Sequence, residues 1–493
     1  MRVSFIVPIY KKSPEVLKRC LKSLFDQSYK DIEVICVFDG PDESLESIVL
    51  EKDFEAVKKF VVPHGGAPKA RNAGMDAAAG DIIVFWDADC YIEPDICASW
   101  VKLFNERKDI DFIYGNYGFV DPAIPGHRAE PFDAWKLSKY NYICTMTAIR
   151  REKCVRWDES LEGYQDWDYF RTLAENGCQG GWLDHKVFET ELPTPESISG
   201  GTRDQAIARI KTIREKHGDK ESDILVVAGM PYHEAERIAK YLDADIFNKD
   251  LPWRIKKYRL IALVGFNPEY PQILNWAYKD DGAKNVLFWM GGEAESLLEK
   301  PWGLTTYLLK AINKIVHKHY CQDKGTKDRL AEMGIDAEIM DIPRDVGEVS
   351  KELPKDFKVL IYGDDSYKQL TDSVVEAMPD IEFTQLDANA PIKLTDYTLY
   401  VQFEKLGQVN DAIRTMLVNG RHVISNVQAP YAGYIPLGET VDEFKREVVK
   451  AIRAVKKEAQ YNQKAHEYWM NATYPEAFAK RVKSMLSPVL EVA

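Results

Sequence analysis

The chain has 493 residues, with 65 Lys+Arg against 78 Asp+Glu, a formal net charge of −13, and 45% hydrophobic and 29% charged residues. At roughly 150 residues per domain that length suggests about three domains, and the composition excludes wholesale disorder. An acidic balance disfavours a non-specific nucleic-acid binder, which needs a basic face.

In chain order, Val3 to Pro8 is a short apolar run rich in β-branched residues and predicts a strand. Pro14 to Gln27 has helical spacing, with Leu17, Leu21, Leu24 and Phe25 on one face. Strands follow at Ile32 to Phe38, Phe60 to Pro63 and Asp81 to Trp86, with a small-residue helix at Ala67 to Ala79. Strands hydrophobic throughout, alternating with helices, predict a parallel sheet covered on both faces. Thr202 to His217 reads as a helix, and the polar GDKESD that follows marks a boundary. Alternation restarts at Ile224, with strands expected at Leu260 to Val264, Val286 to Trp289 and Lys314 to His319. Pro343 to Asp356 reads as a linker. A third unit opens at Phe357 and runs through Ile381 to Leu386, Tyr397 to Phe403 and His422 to Ser425. A charged helical tail is expected from Val441 to Met485, its apolar stripe Phe444, Val448, Ile452 and Val455 packing inward.

Eight cysteines (Cys20, Cys36, Cys90, Cys97, Cys144, Cys154, Cys178, Cys321) form no CxxC pair, and this reads as reduced thiols in a cytoplasmic protein. The opening MRVSFIVPIY enters a strand with no signal-peptide pattern. No apolar run reaches the ~20 residues that cross a bilayer, so membrane contact is expected to be peripheral at most.

The sharpest chemical signal is Asp87-Ala88-Asp89 at the carboxyl end of a predicted buried strand. Ligands of open α/β sheets bind beyond the carboxyl ends of the strands, and two such carboxylates suit a hard divalent cation bridging a diphosphate. A lone DxD is more often a solvated acidic turn. Here it stands among Val7-Pro8-Ile9-Tyr10, Asp39-Gly40, the run Gly65-Gly66-Ala67-Pro68-Lys69-Ala70-Arg71-Asn72-Ala73-Gly74, and Gly163-Tyr164-Gln165-Asp166-Trp167-Asp168. In that order these motifs resemble the family 2 glycosyltransferases of GT-A fold, over about residues 1 to 215.

The resemblance implies a role for each residue. Asp39 would accept a hydrogen bond from the nucleobase, usually uracil, with Pro8 and Tyr10 lining its pocket. Arg71 would lie near the base or diphosphate. Asp89 would ligate Mn²⁺ or Mg²⁺, with Asp87 at the ribose or a metal-bound water. Asp166 would be the catalytic base of an inverting transfer from a UDP-sugar to a hydroxyl of a glycan or glycoconjugate, as in polysaccharide biosynthesis. Gln165 replaces the family's usual glutamate. Asp168 is a second candidate base, or a carboxylate favoured by a helix N-terminus. His185 is a third metal ligand or a structural residue. His64 is a loop residue that could approach the diphosphate. Among the aromatics of this region, Tyr164 and Trp167 flank the expected base and are expected to face the acceptor sugar.

The second half resembles the two-lobed GT-B fold, on Phe288 to Glu293, Gly325 to Pro343 and Ala412 to Asn426. It departs where family 4 glycosyltransferases carry two glutamates: Thr415 and Gly407 stand there, and Glu404 is out of register. A binding role for this half is favoured over a second activity or a scaffold for self-assembly. An NAD-binding reading fails on Ala228-Gly229-Met230-Pro231-Tyr232, which lacks GxGxxG. His317 and His319 read as strand residues rather than a metal pair.

The expected architecture is therefore α/β: a GT-A (Rossmann-like nucleotide-diphospho-sugar transferase) domain over 1–218, a GT-B-like lobe over 222–343, and a second lobe with helical tail over 356–493. The expected partners are a nucleotide-sugar donor and a glycan acceptor. Weighed against this were a second active transferase, glycosylation of nucleic-acid bases, a non-catalytic carbohydrate-binding protein, and homo-oligomers.

Overall fold

The computed structural model describes residues 1–192, 202–228, 232–247, 258–266, 282–290, 293–294, 297, 302–340, 342, 349–350, 352–386, 393–403, 411–436 and 440–473. The chain divides into two compact units, Met1–Lys220 and Glu221–Ala493.

In the first unit the elements are β1 (Val3–Ile9), α1 (Pro14–Phe25), β2 (Ile32–Asp39), α2 (Glu43–Ile48), β3 (Lys58–Val62), α3 (Ala67–Ala77), β4 (Ile82–Phe85), β5 (Cys90–Ile92), α4 (Ile96–Glu106), β6 (Phe112–Phe119), α5 (Ala134–Lys139), β7 (Ala148–Arg150), α6 (Gln165–Glu175), β8 (Gly180–Thr190) and α7 (Arg203–Lys216). The sheet runs β3-β2-β1-β4-β7-β6-β8-β5. Its first four strands are parallel, as their continuous apolar runs predict. The remainder is mixed: β7 is antiparallel to β4 and β6, and β5 to β8.

Local chemistry fixes the pieces around the site. Pro8 lies near the end of β1, opposite Val37 and beyond the β1–β4 pairing, where its missing N–H breaks no ladder bond to β4. Ser13 caps α1 by accepting from the Val16 N–H at 3.3 Å, and Pro14 opens the first turn. Leu17, Cys20, Leu21 and Leu24 bury the inward face of α1. Gly66, at φ +90°, turns the chain into α3. Gly74 lets α3 lie directly on β1 and β2, because a β-carbon there would overlap Ile6 and meet Val37.

The second unit holds two parallel sheets. The first contains β9 (Ile224–Ala228), β10 (Asp245–Ile246), β11 (Leu260–Val264), β12 (Lys284–Trp289), β13 (Lys318–Cys321) and β14 (Ala337–Ile339), ordered β10-β9-β11-β12-β13-β14. The second contains β15 (Lys358–Gly363), β16 (Glu382–Gln385), β17 (Leu399–Phe403), β18 (His422–Ser425) and β19 (Gly433–Tyr434), ordered β16-β15-β17-β18-β19. Each sheet has its own apolar core. The molecule is thus mixed α/β with Rossmann-like sheets.

Three expectations change. The strand expected at Lys314 to His319 begins only at Lys318, because Trp302–Ile315 is a helix that absorbs its start. His317 therefore precedes the strand, where its Nδ1 accepts from the Asn285 N–H. His319 is buried and accepts from Trp289 Nε1 at 3.2 Å, and burial lowers its pKa to about 4, so it is a neutral core residue. The tail is broken into two helices, Val441–Glu458 and Gln463–Thr473. The expected helix beyond Thr473, part of the Pro343 to Asp356 linker, Gly407, Glu404 and the Gly291-Gly292 turn lie outside the described residues. Among the described residues no helix is long and apolar enough to cross a membrane.

Candidate active site

The carboxyl ends of β1, β2 and β4 and the first turn of α6 carry the singled-out side chains. Asp39 ends β2 and is 3% exposed. Its Oδ1 accepts from the Gly65 N–H at 2.7 Å, and its Oδ2 from the Gly66 N–H at 2.9 Å. His64 Nδ1 lies 2.9 Å from the same Oδ2. Asp39 thus gathers the loop that enters α3. Tyr10 is exposed, and its ring stacks on His64 with centroids 4.4 Å apart and planes 12° apart. Pro8, Tyr10 and Asp39 are brought to the carboxyl end of the sheet, and His64 joins them.

The Arg71-Asn72 pair of α3 does two different jobs. Asn72 is buried and clamps residues 157 to 159, exchanging bonds with the Trp157 backbone at 3.0 and 2.9 Å and reaching Glu159 at 2.8 Å. Trp157, held this way, lies under the Arg71 guanidinium, 4.4 Å from the ring centre. Arg71 donates Nη2 to Asp87 Oδ1 at 2.9 Å and Nη1 to Gln165 Oε1 at 3.3 Å. Its Nε is buried without a hydrogen-bond partner. The glutamine that replaces the expected glutamate therefore still accepts from this arginine, as a neutral group.

Asp166 is the second residue of α6. The helix starts behind Tyr164, a non-glycine residue in the left-handed region at φ 52° and ψ 32°. Such backbone is uncommon and costs energy, which the surrounding packing must offset. Asp166 Oδ1 accepts from the Trp167 N–H at 2.9 Å. Burial pushes its carboxyl above the ordinary aspartate value; the Trp167 N–H, the Arg71 charge and a hydrogen bond from Asn141 oppose this, and the Asp87 charge adds to it. The structure thus brings Asp166, Arg71, Asp87 and Gln165 together.

Asp87 and Asp89 flank a tight turn between β4 and β5, closed by the Cys90 N–H on the Asp87 carbonyl at 3.0 Å. Their side chains are about one-third exposed, 34% and 30%. Asp89 Oδ2 is bound by Lys12 Nζ, from the turn between β1 and α1. Among the described residues no three His, Cys, Asp or Glu side chains gather closely enough to hold a metal. Two hard carboxylates at a strand end nevertheless suit Mn²⁺ or Mg²⁺, whose other ligands are commonly substrate phosphates and water.

Three candidates are placed elsewhere. The residue beside Asp89 is Glu191, just past the end of β8, whose N–H donates to the Asp89 carbonyl at 3.3 Å. His185 lies six residues back along that strand, exposed, next to the irregularity opposite Asn116; at about 3.3 Å per residue it is far from Asp89. Asp168 is buried and held by Lys216 Nζ at 2.8 Å and His217 Nε2 at 2.9 Å, so it ties α7 to α6. Trp167 is 1% exposed and donates Nε1 to the Leu137 carbonyl at 2.6 Å. It is a core residue, and the expectation that it faces a sugar is corrected. Tyr164 is partly exposed.

Lys12, Trp157 and Asn141 escaped the sequence reading as site residues. Nothing in the run Tyr10-Lys11-Lys12-Ser13 marks one lysine over the other. Only the aromatic density around Trp157 hinted at its place.

Residues 4–156 match the family model described as Glycosyl transferase family 2. An uncharacterized glycosyltransferase of Haemophilus influenzae is 36% identical over 123 residues, 24% of this chain and 48% of that protein. The putative glycosyltransferase EpsH of Bacillus subtilis is 32% identical over 113 residues, 22% of this chain and 32% of that one. The chondroitin synthase of Pasteurella multocida is 30% identical over 184 residues, 36% of this chain and 19% of that one. This chain spans less than half the length of each of these relatives. Of solved structures, S. aureus TarS aligns with a TM-score of 0.37 at 17% identity, over 49% of this chain and 43% of that one.

Proposed function

We propose that this chain, whose residues 4–156 match the family 2 glycosyltransferase model, transfers a sugar from a UDP-sugar donor to a hydroxyl of a glycan or glycoconjugate, inverting the anomeric carbon. The observation that carries the reading is Asp166, held at the start of α6 beside Arg71 and Asp87 with its carboxyl raised above the ordinary value. A base of raised pKa takes a proton more readily near neutral pH.

In this reading Asp166 takes the acceptor hydroxyl proton as that oxygen forms its bond to the anomeric carbon. The bond from that carbon to the diphosphate oxygen breaks on the opposite face, and its electron pair leaves with the nucleoside diphosphate. Tyr10, Pro8 and the Asp39-organised loop receive the nucleobase, with Asp39 acting mainly through the loop that it holds. Arg71 fixes the orientation of Asp87 and Gln165. Asp89 would hold a divalent cation, with Asp87 beside it, and such an ion supplies positive charge to the departing diphosphate. The second unit serves as a GT-B-like two-lobed binding module for the acceptor; Thr415, in the helix Asp411–Val418, leaves it without an expected donor-holding glutamate. The cytoplasm suits its eight free cysteines.

Asp166→Asn tests the base. Transfer from a UDP-sugar is expected to fall by about 10²- to 10⁴-fold with the melting temperature unchanged. The wild-type rate rises with pH through the raised Asp166 value, because the protonated carboxyl accepts no proton; this rise should vanish in the variant. Transfer near the wild-type rate in Asp166→Asn sinks the assignment. Residual transfer that survives both this change and Asp89→Asn would place a catalyst in the second unit.

A further inference from the structure

Each carboxylate of the Asp87–Asp89 turn meets a cation from elsewhere in the chain, but the two pairs differ in kind. Arg71 has a side chain only 6% exposed, forked between Asp87 and Gln165 and lying on the Trp157 ring. A planar guanidinium held at three places is fixed. Lys12 has a side chain 33% exposed, and its ammonium is paired with Asp89 Oδ2. Its stem is flexible and its head a compact point charge, and such partly exposed pairs are weak. The root of the stem is set by the backbone: Lys11 is left-handed at φ 45°, and Ser13 caps α1. Lys12 is therefore anchored at its base and free to pivot at its tip.

We propose that Lys12 is a placeholder cation, neutralising Asp89 in the donor-free chain and passing to the donor diphosphate when a divalent ion takes that carboxylate. This rests on the reading of the site as one for a nucleotide sugar. The protein presents two carboxylates here and, among the described residues, no third metal-ligating side chain close by. A divalent ion completes its coordination with phosphate oxygens and water, so ion and donor arrive together. Until then, an unopposed Asp89 beside Asp87 would attract divalent cations alone; the ammonium competes with them and weakens this. Once displaced by the ion, the same charge passes to the diphosphate that arrives with it. Lys12 thus couples metal binding to donor binding and is a positioning residue for both.

The test is Mn²⁺ binding to the whole chain, read from the electron paramagnetic resonance signal of the free ion, with and without UDP. Wild type should bind Mn²⁺ weakly alone and more tightly with UDP. Lys12→Met should bind Mn²⁺ about fivefold more tightly without nucleotide, the equivalent of one exposed ion pair. It should also bind UDP more weakly when Mn²⁺ is present, and Lys12→Arg should restore part of both effects. The Lys12→Met gain in Mn²⁺ binding should disappear in an Asp89→Asn background. Equal nucleotide-free Mn²⁺ affinity in wild type and Lys12→Met overturns the proposal, as does a gain that persists without Asp89. If Lys12→Met does not melt like wild type, Lys12→Gln decides on the same readout. Absence of sugar transfer with a preserved Mn²⁺ difference would refute the proposed function and leave the Lys12 assignment standing.

Discussion

At the scale of single residues, the site is built from side chains that hold other groups before any ligand arrives. Asp39 shows this most directly. Its carboxylate accepts two backbone N–H groups at 2.7 and 2.9 Å while almost wholly buried. Asp39→Ala leaves those donors without their acceptor; Gly65 is exposed and Gly66 half-buried, so water replaces part of what is lost and the cost is that of ordinary hydrogen bonds to a charged group, about 1–3 kcal/mol in all. The expected result is a fall of that order in unfolding free energy, with nucleotide affinity lost as well. Urea denaturation and UDP titration would measure the two. Loss of UDP binding with unchanged stability would mean that Asp39 acts on the nucleobase alone and not through its loop. Such pairings are poorly legible in sequence. The motif marks Asp39, but its partners are backbone groups 26 and 27 positions away. Lys12 and Asp89 are separated by 77 positions, and only folding shows which of two adjacent lysines is paired.

At the scale of elements, the close approach of α3 to the sheet sets the position of Arg71. The approach depends on Gly74, where a β-carbon would overlap Ile6 and lie 3.2 Å from Val37. Gly74→Ala forces α3 off β1 and β2, and overpacking of this kind costs about 1–3 kcal/mol. Arg71 would shift with the helix, so donor affinity should fall together with the urea midpoint. An unchanged midpoint would show that Ile6 yields without cost. The elements around α3 were legible because β1, β2 and β4 are continuous apolar runs ended by polar residues. The strands after Asp89 were not. β5 and β7 have three residues each, too few to show a period. β8 carries three exposed polar residues in its middle, Asp184, His185 and Lys186, where its register with β6 slips. The pairing of β5 with the far end of β8 leaves His185 up the strand from Asp89, and no sequence pattern shows that pairing.

At the scale of the whole molecule, the two units each have their own apolar core. The first is closed by charge at its last helix. Asp168, Glu175 and Asp219 face Arg171, Arg214, Lys216 and His217. Calorimetry of the intact chain should therefore resolve more than one cooperative transition. UDP with Mn²⁺ should shift only the transition of the first unit, because ligands stabilise the body that binds them. A single transition that moves as a whole would contradict this. The α/β character of all three sheets was legible from strand–helix alternation. The role of the second unit was not, since the residues that would mark a donor site there are absent from their expected places.

One detail of the site also makes it visible in solution. Trp157 carries the Arg71 guanidinium 4.4 Å from its ring centre and the Tyr169 ring at 4.3 Å. Indole emission responds to a nearby charge, and this charge is also bonded to Asp87 and Gln165. A donor that draws on Arg71 therefore changes the light emitted by Trp157. Subtracting the spectrum of Trp157→Phe isolates that signal from the other ten tryptophans. The protein thus contains its own optical gauge of the candidate site, with no label to attach.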